Sequence, residues 1–243
     1  MSEYTIKMDD VSKVYEKKYA LKNVNLEFKS GRIYGILGTN GAGKSTLLKL
    51  IYGITSITTG RIYLNEKLIN KERNVMKKMA GYLPELPLLN DYLTVDETIT
   101  GTLRLRGYTY EKSGEVTDLF LKWINLGNFR DELIVNCSKG IKQKVAFGIA
   151  TLHNPAIFLL DEPFMGLDPP TTFLIKKWLV DMKSNSKIII ITTHIASVVE
   201  EIADTIIILN NGKVIKTGTL SDLLSMKIAR NLEEVLFNMN TDY

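Results

Sequence analysis

Short apolar blocks recur along the whole chain, and their period changes twice. In the first third the blocks have strand length, over residues 4–8, 24–28, 32–37 and 60–64. Within Asn23-Val24-Asn25-Leu26-Glu27-Phe28, polar and apolar residues alternate with the period of a half-buried strand. From about residue 94 to residue 154 the spacing becomes helical. Thr94-Val95-Asp96-Glu97 has the form of a capping box, with the threonine at the cap and the glutamate three residues on. Helical spacing then continues through Ile99, Leu103 and Leu105 until Gly107 stops it. Further helices are predicted over 114–124 and 139–152. Beyond residue 154, strands and helices alternate. The runs 156–160 and 187–192 are continuously apolar, as in a parallel sheet covered on both faces, and helices follow near 170–182 and 195–203. Strands at 205–209 and 213–217 flank Asn210-Asn211-Gly212, a hairpin signal. Residues 225–243 predict a short terminal helix with a frayed tail. With no internal repeat or low-complexity linker, the pattern is an α/β core interrupted by a helical insertion.

Composition narrows the class without changing that picture. The 243 residues suffice for one large domain or two modest ones, and 45% hydrophobic with 24% charged residues is ordinary for a soluble globular chain. No apolar run reaches the roughly 20 residues of a membrane helix. Met1-Ser2-Glu3-Tyr4 lacks the charged and apolar regions of a signal peptide. A single cysteine, Cys137, excludes an internal disulfide framework and suits a reducing cytosol. With only two histidines beside it, a structural zinc site is not expected. The net charge of +4 suits an anionic membrane surface or nucleic acid and selects neither. Lysines gather at 67–78, read as solvated charge, and at 139–144, but no basic run is long enough for a nucleic-acid tail.

The chemistry begins at Gly38-Thr39-Asn40-Gly41-Ala42-Gly43-Lys44-Ser45-Thr46, which fits the phosphate-loop pattern G-x-x-x-x-G-K-[ST] without a gap. Its glycines let the backbone curl so that successive N–H groups face one anion. Lys44 can reach the β and γ phosphates, and the Ser45 hydroxyl can ligate Mg²⁺. A buried strand precedes the loop and a helix follows it, whose N-terminal dipole adds positive potential at the phosphates. A phosphate loop also needs a carboxylate that holds the metal through water. Ile157-Phe158-Leu159-Leu160-Asp161-Glu162 supplies Asp161 at the carboxyl end of a buried strand, where α/β sheets bind ligands. Glu162, one residue on, is placed to polarise a water attacking the γ-phosphate.

These motifs, in this order, resemble the ATP-binding subunit of an ATP-binding cassette (ABC) transporter, over roughly residues 4–224. The resemblance implies a P-loop NTPase α/β core with an N-terminal antiparallel β subdomain and an inserted α-helical subdomain. Residues 1–85 and 154–224 would form the core and β subdomain, 86–153 the helical subdomain, and 225–243 a C-terminal helix or tail. Tyr15 matches the aromatic that stacks on adenine, with Tyr19 as its competitor; such stacking contributes about 0.5–1.5 kcal/mol beyond burial. Cys137-Ser138-Lys139-Gly140-Ile141 matches the signature Leu-Ser-Gly-Gly-Gln in part. Ser138 and Gly140 remain at the start of a helix, offering a hydroxyl and backbone N–H groups to a phosphate. Lys139 and Ile141 depart from the family pattern. Phe164-Met165-Gly166-Leu167-Asp168-Pro169 matches the loop after the catalytic acid, with Asp168 facing a second subunit and the prolines opening a helix. His194 matches the histidine that contacts the γ-phosphate, whereas His153 is read as structural. Glu85, in Gly81-Tyr82-Leu83-Pro84-Glu85, replaces the family's glutamine. It keeps an oxygen acceptor for Mg²⁺ or its water but loses the amide donor.

The resemblance therefore implies ATP and Mg²⁺ as ligands, with Lys44, Glu162 and His194 in catalysis. It implies a head-to-tail dimer with a second ATPase subunit, identical or paralogous, the homodimer being favoured. It further implies a cytoplasmic subunit, peripheral on the membrane through separate permease subunits. Glu85 and the lysine-bearing signature resemble the subgroup serving bacterial ABC-2 exporters. A soluble ABC ATPase driving assembly is the alternative, and import is a further one within transport. No nucleic-acid partner is expected.

Overall fold

The computed structural model describes residues 3–70, 73–227 and 230–235. In chain order the elements are β1 (Thr5–Tyr15), β2 (Lys18–Lys29), β3 (Arg32–Leu37), α1 (Lys44–Tyr52), β4 (Thr59–Leu64), β5 (Lys67–Leu68), α2 (Arg73–Met79), β6 (Ala80–Leu83), α3 (Val95–Leu105), α4 (Tyr110–Trp123), α5 (Lys139–Thr151), β7 (Ile157–Asp161), α6 (Pro169–Ser184), β8 (Ile188–Thr193), α7 (Ala196–Ile202), β9 (Thr205–Asn210), β10 (Lys213–Gly218) and α8 (Leu220–Lys227). The antiparallel sheet is ordered β2-β1-β4-β5, and the second sheet β10-β9-β3-β8-β7-β6. The second sheet is parallel except for β10, which returns antiparallel to β9.

Why the strands of this sheet read as unbroken apolar runs is plain from their two faces. Tyr34, Ile36, Ile157, Leu159, Ile188 and Ile190 pack toward α1 and the antiparallel sheet, with Leu47, Leu48, Ile51, Ile6 and Phe28. Their chain neighbours Ile33, Phe158, Leu160, Ile189 and Ile191 pack on the opposite face against Phe147, Leu179, Phe120 and Ile99 of the helices. Each fully buried residue of this size contributes roughly 1.5–3 kcal/mol, so neither face can be left open. A third cluster lies under α7 and α8, with Leu37, Val199, Ile206, Ile208 and Leu223.

Several elements follow the sequence closely. Thr94 Oγ1 accepts from the Glu97 N–H at 3.1 Å and Glu97 Oε2 accepts from the Thr94 N–H at 2.9 Å, completing the capping box. Asn211 and Gly212 both have positive φ in the tight turn between β9 and β10. Others differ from expectation. β1 runs on to Tyr15, because its register with β2 shifts between Met8 and Val11 where Asp10 has φ +49°. That bulge reverses the alternation, so the sequence pattern breaks although the strand does not. α4 starts at Tyr110 rather than at Gly114. Thr109 caps it, and Ser113 and Thr117 are buried polar residues that hide the apolar stripe. Neither α2 nor β6 was expected. A Cβ at Gly81 would lie 1.7 Å from the Ala150 carbonyl oxygen, so this glycine is what lets α5 cross β6. α8 begins at Leu220, five residues before the expected terminal helix, and residues 232–235 are helical again. Thr219 caps α8 by accepting from the Asp222 N–H at 3.3 Å. Residues 236–243 of the expected tail lie outside the described residues.

Candidate functional site

The phosphate loop spans the gap between β3 and α1. Gly43 caps α1 at φ +107°, and a Cβ there would lie 2.5 Å from the Ala20 carbonyl oxygen. Both the dihedral and the close approach of β2 require glycine. Lys44 is buried and curls back over the loop, donating to Gly38 O at 2.7 Å and Thr39 O at 3.2 Å. Its ammonium is thus already held inside the loop. Thr39, Asn40 and Gly41 form an exposed crest, while Ser45 and Thr46 sit half-buried in the first turn of α1. The turn between β9 and β10 braces the loop, Gly212 N–H donating to Ala42 O at 2.9 Å.

The strand ends beside the loop carry the acids. Leu37 of β3 lies opposite Thr193 of β8, and Thr192 lies opposite Asp161 of β7. Strand alternation turns Asp161 to the same face as Ile157 and Leu159, which is the face covered by α1. Thr192 Oγ1 donates to Asp161 Oδ1, while Asp161 Oδ2 is buried without a hydrogen-bond partner. An unpaired buried carboxylate oxygen is costly, on the order of 1–3 kcal/mol or more, so a metal-bound water fits here.

Glu162 follows at φ +48°, in the left-handed region that costs a residue with a side chain about 1–2 kcal/mol. Its N–H donates to Thr192 O at 2.9 Å. Its carboxylate is buried, with Oε2 accepting from Thr193 Oγ1 at 2.8 Å and Oε1 lying 2.8 Å from His194 Nδ1. An ionised carboxylate only accepts, so Nδ1 carries the proton in that pair and Nε2 is left for a ligand.

The first turn of α5 lies against the loop after β7. Ser138 caps α5, its Oγ accepting from the Ile141 N–H at 3.3 Å, and both Ser138 and Lys139 are exposed. A Cβ at Gly140 would lie 2.8 Å from Gly166 O, so the glycine is what allows this approach. Asp168 caps α6 through the Thr171 N–H at 2.8 Å and pairs with Lys144 Nζ at 3.0 Å. The Thr171 N–H and hydroxyl, then Lys144, hold the Asp168 carboxyl down to about 2. Gln143 is buried and donates to the carbonyls of Glu162 and Pro163.

The structure thus gathers Asp161, Glu162 and His194 at one strand edge beside the phosphate loop, and Ser138, Gly140 and Asp168 in a second group. Among the described residues no hydrogen bond joins Ser138 or Gly140 to the phosphate loop of the same chain. Tyr15 and Tyr19 lie on the β1–β2 hairpin, 45% and 49% exposed, and each has a lysine ammonium over its ring. The geometry does not choose between them. Glu85 is exposed, two residues past Leu83, which pairs with Leu160 of β7. The nearby Tyr82 hydroxyl is buried without a partner, and burial, then the Asp161 and Glu85 charges, raise its pKa. Next to the Glu85 loop, α3 and α4 border a groove of about 860 Å³ lined by Pro84, Leu88, Leu105, Tyr108 and Tyr110. Leu88 and Leu105 are 98% and 91% exposed there.

Sequence reasoning missed Thr192, Thr193 and Gln143. The two threonines left a signal: they are the only polar pair ending the apolar run 188–193, at the end of a buried strand. Gln143 left none, since a polar residue inside a helix is ordinary.

Comparison with known proteins gives the family and the fold. The ABC transporter family model matches residues 21–165. An uncharacterised ABC transporter ATP-binding protein of Methanocaldococcus jannaschii is 33% identical over 222 residues, 90% of this chain and 79% of the relative. The lantibiotic transport ATP-binding protein SrtF of Streptococcus pyogenes is 32% identical over 234 residues, covering 96% of each. The solved ATP-binding subunit of an ABC transporter superposes with a TM-score of 0.88 at 29% identity, over 97% of this chain and 99% of that one. A dimeric ATP-binding cassette in a post-hydrolysis state, bound to ADP and Pi, superposes with a TM-score of 0.79 at 28% identity, over 88% and 98%.

Proposed function

The chain belongs to the ABC transporter family of ATP-binding proteins, and from that premise we propose that it powers export through a separate ABC-2 type permease. It is an ATPase of that family, and proteins of the family work as dimers and with membrane permeases. The observation that carries the mechanistic reading is the Glu162 carboxylate, held on one oxygen by Thr193 and on the other by His194, next to the unpaired oxygen of Asp161.

In this reading ATP lies in the loop 38–46, its β and γ phosphates on Lys44 and the backbone N–H groups, and its adenine on Tyr15. Magnesium, when bound, would draw off charge from the phosphates. Ser45, Asp161 through water, and Glu85 would hold it. Among the described residues no group of three or more His, Cys, Asp or Glu could hold a metal ion by itself. Glu162 accepts a proton from the attacking water, and His194 steadies the γ-phosphate through Nε2.

The exposed Ser138 and the half-buried Gly140 beside it would reach ATP held by a second copy, so that one γ-phosphate bridges Lys44 of one subunit and Ser138 of the other. Hydrolysis removes the bridge, and closure is a two-state equilibrium biased by that phosphate. The apolar groove beside Glu85 takes a cytoplasmic helix of the permease. No helix among the described residues is long and apolar enough to cross a membrane, so the chain would sit on the cytoplasmic face through that groove. Residues 1–224 form the ATPase unit in this reading, with 225–243 appended. Export, rather than import, rests on Glu85, the lysine-bearing signature and the likeness to a lantibiotic transport protein.

The test is affinity purification of tagged Glu162→Gln protein from native membranes with ATP present. Recovery of a polytopic permease supports the proposal. Recovery of soluble partners alone, under conditions that capture a known transporter ATPase, overturns it in favour of a soluble ABC machine.

A further inference from the structure

We propose that Gln143 is a positioning residue for hydrolysis, acting by fixing the backbone of Glu162. The inference rests on the reading of Glu162 as the base. Gln143 is 3% exposed and stands in the second turn of α5. Its Nε2 donates to Glu162 O at 3.2 Å and to Pro163 O at 3.3 Å. Two carbonyl oxygens can only accept, so the amide nitrogen must face them.

Glu162 needs such a hold. Its φ of +48° is one that residues with side chains keep only when their surroundings enforce it. The peptide before it is tied to β8, through the Glu162 N–H and Thr192 O at 2.9 Å. The peptide after it leads into Pro163 and carries no N–H, so its carbonyl is the only group by which it can be held. That carbonyl accepts from the Met165 N–H at 3.1 Å, within the same turn, and from Gln143. Gln143 is therefore the tie from outside the loop. With both flanking peptides pinned, the Cα–Cβ direction of Glu162 is fixed, and Thr193 and His194 then set the carboxylate. Without Gln143 the turn still closes on itself, but its placement against α5 is free to drift. A displacement of about 1 Å at a reacting group can cost on the order of a hundredfold in rate.

The experiment uses the full chain with Gln143→Met, of similar length but without donors. Steady-state kcat should fall roughly ten- to hundredfold, with ATP affinity within about twofold of the parent. Single-turnover hydrolysis of radiolabelled ATP in a Glu162→Gln background should show no further loss from Gln143→Met, since the two residues act as one unit. Gln143→Glu places a carboxylate against two carbonyls. Its rate relative to the parent should rise on acidification, as a protonated acid regains one donor. The ratio is read because Glu162, His194, Lys144 and Asp168 stand nearby in both proteins. A normal kcat in Gln143→Met, or the same fractional loss in both backgrounds, overturns the proposal. So does a fall in ATP affinity and melting temperature with kcat unchanged, which marks a merely structural amide. If Glu162→Gln itself turns over normally, the reading of Glu162 fails, and that outcome is separate from a normal Gln143→Met rate beside an inactive Glu162→Gln.

Discussion

The strand edge that carries Asp161, Glu162 and His194 and the groove beside α3 treat their side chains in opposite ways. At the strand edge the acids are buried, and Thr192, Thr193, His194 and Gln143 each hold a defined atom of them. A strained dihedral at Glu162 survives because so many bonds enforce it. In the groove, Leu88 and Leu105 stand almost fully in water, and Arg104 lies over the exposed ring of Tyr110. Preorganisation suits chemistry, where an atom must already be in place. Unsatisfied apolar surface suits association, where the missing contacts come from outside. The same small chain thus keeps a rigid region and an incomplete one, divided by β6.

The sharpest way to break this comparison is Glu162→Gln. Turnover should fall by about a thousandfold or more, in the upper range for removal of a general base, while ATP binding persists. Phosphate release and equilibrium nucleotide binding check both halves. Thr193→Val removes one hydrogen bond to the same carboxylate at nearly constant volume. A bond to a charged group is worth about 1.5–3 kcal/mol, so kcat should drop roughly ten- to hundredfold with a smaller change in KM. In the groove the expectation is inverted. Leu88→Asp with Leu105→Asp should leave the ATPase rate of the isolated protein within about twofold and lower permease recovery by about tenfold or more. Equal loss of ATPase activity in that variant would show that the groove is coupled to the strand edge without a partner.

The smallest effect concerns the two histidines, one at the strand edge and one behind α5. His194 meets Glu162, whereas His153, two residues past the end of α5, has both ring nitrogens buried. Burial, with help from the Arg106 charge, lowers the His153 pKa to about 4 from 6.5. The unfolded chain binds this proton first, so the His153 contribution is whole above about pH 6.5 and is lost progressively as pH falls toward about 4. Melting temperature should decline over that window, and His153→Leu should remove part of the slope. Asp168 acts lower. Its carboxyl is held at about 2 against 3.8, so its contribution is lost only as pH falls from about 3.8 toward about 2.

Much of the strand edge was legible beforehand because its chemistry is contiguous in sequence. The phosphate loop, the Asp161-Glu162 pair and His194 each end an apolar run, and a buried strand shows its end as a polarity change. What could not be read is held by partners distant in the chain. Gln143 meets Glu162 only because α5 crosses the sheet, and that crossing depends on Gly81. The continuation of β1 was hidden by a bulge at Asp10, which reverses the in–out pattern on which strand reading depends. The start of α4 was hidden because Ser113 and Thr117, rather than large apolar residues, face its neighbours. The groove could not be read in the same way, since exposure of Leu88 and Leu105 is a property of the folded surface.

The position of β3 has a consequence for biosynthesis. β3 is flanked by β8 and β9, pairing Arg32 with Ile188 and Tyr34 with Thr205. A ribosome therefore releases the phosphate loop early, but the strands that seat it emerge only after some 150 further residues have been made. The brace on that loop, Gly212 to Ala42, comes later still. Until then the nascent chain carries a nucleotide motif without a nucleotide site, and its apolar strand faces are exposed to misassociation. Loop-closure entropy must be met before these long-range pairings return any stabilisation, so nucleotide capture is a late event that reports completion of the sheet.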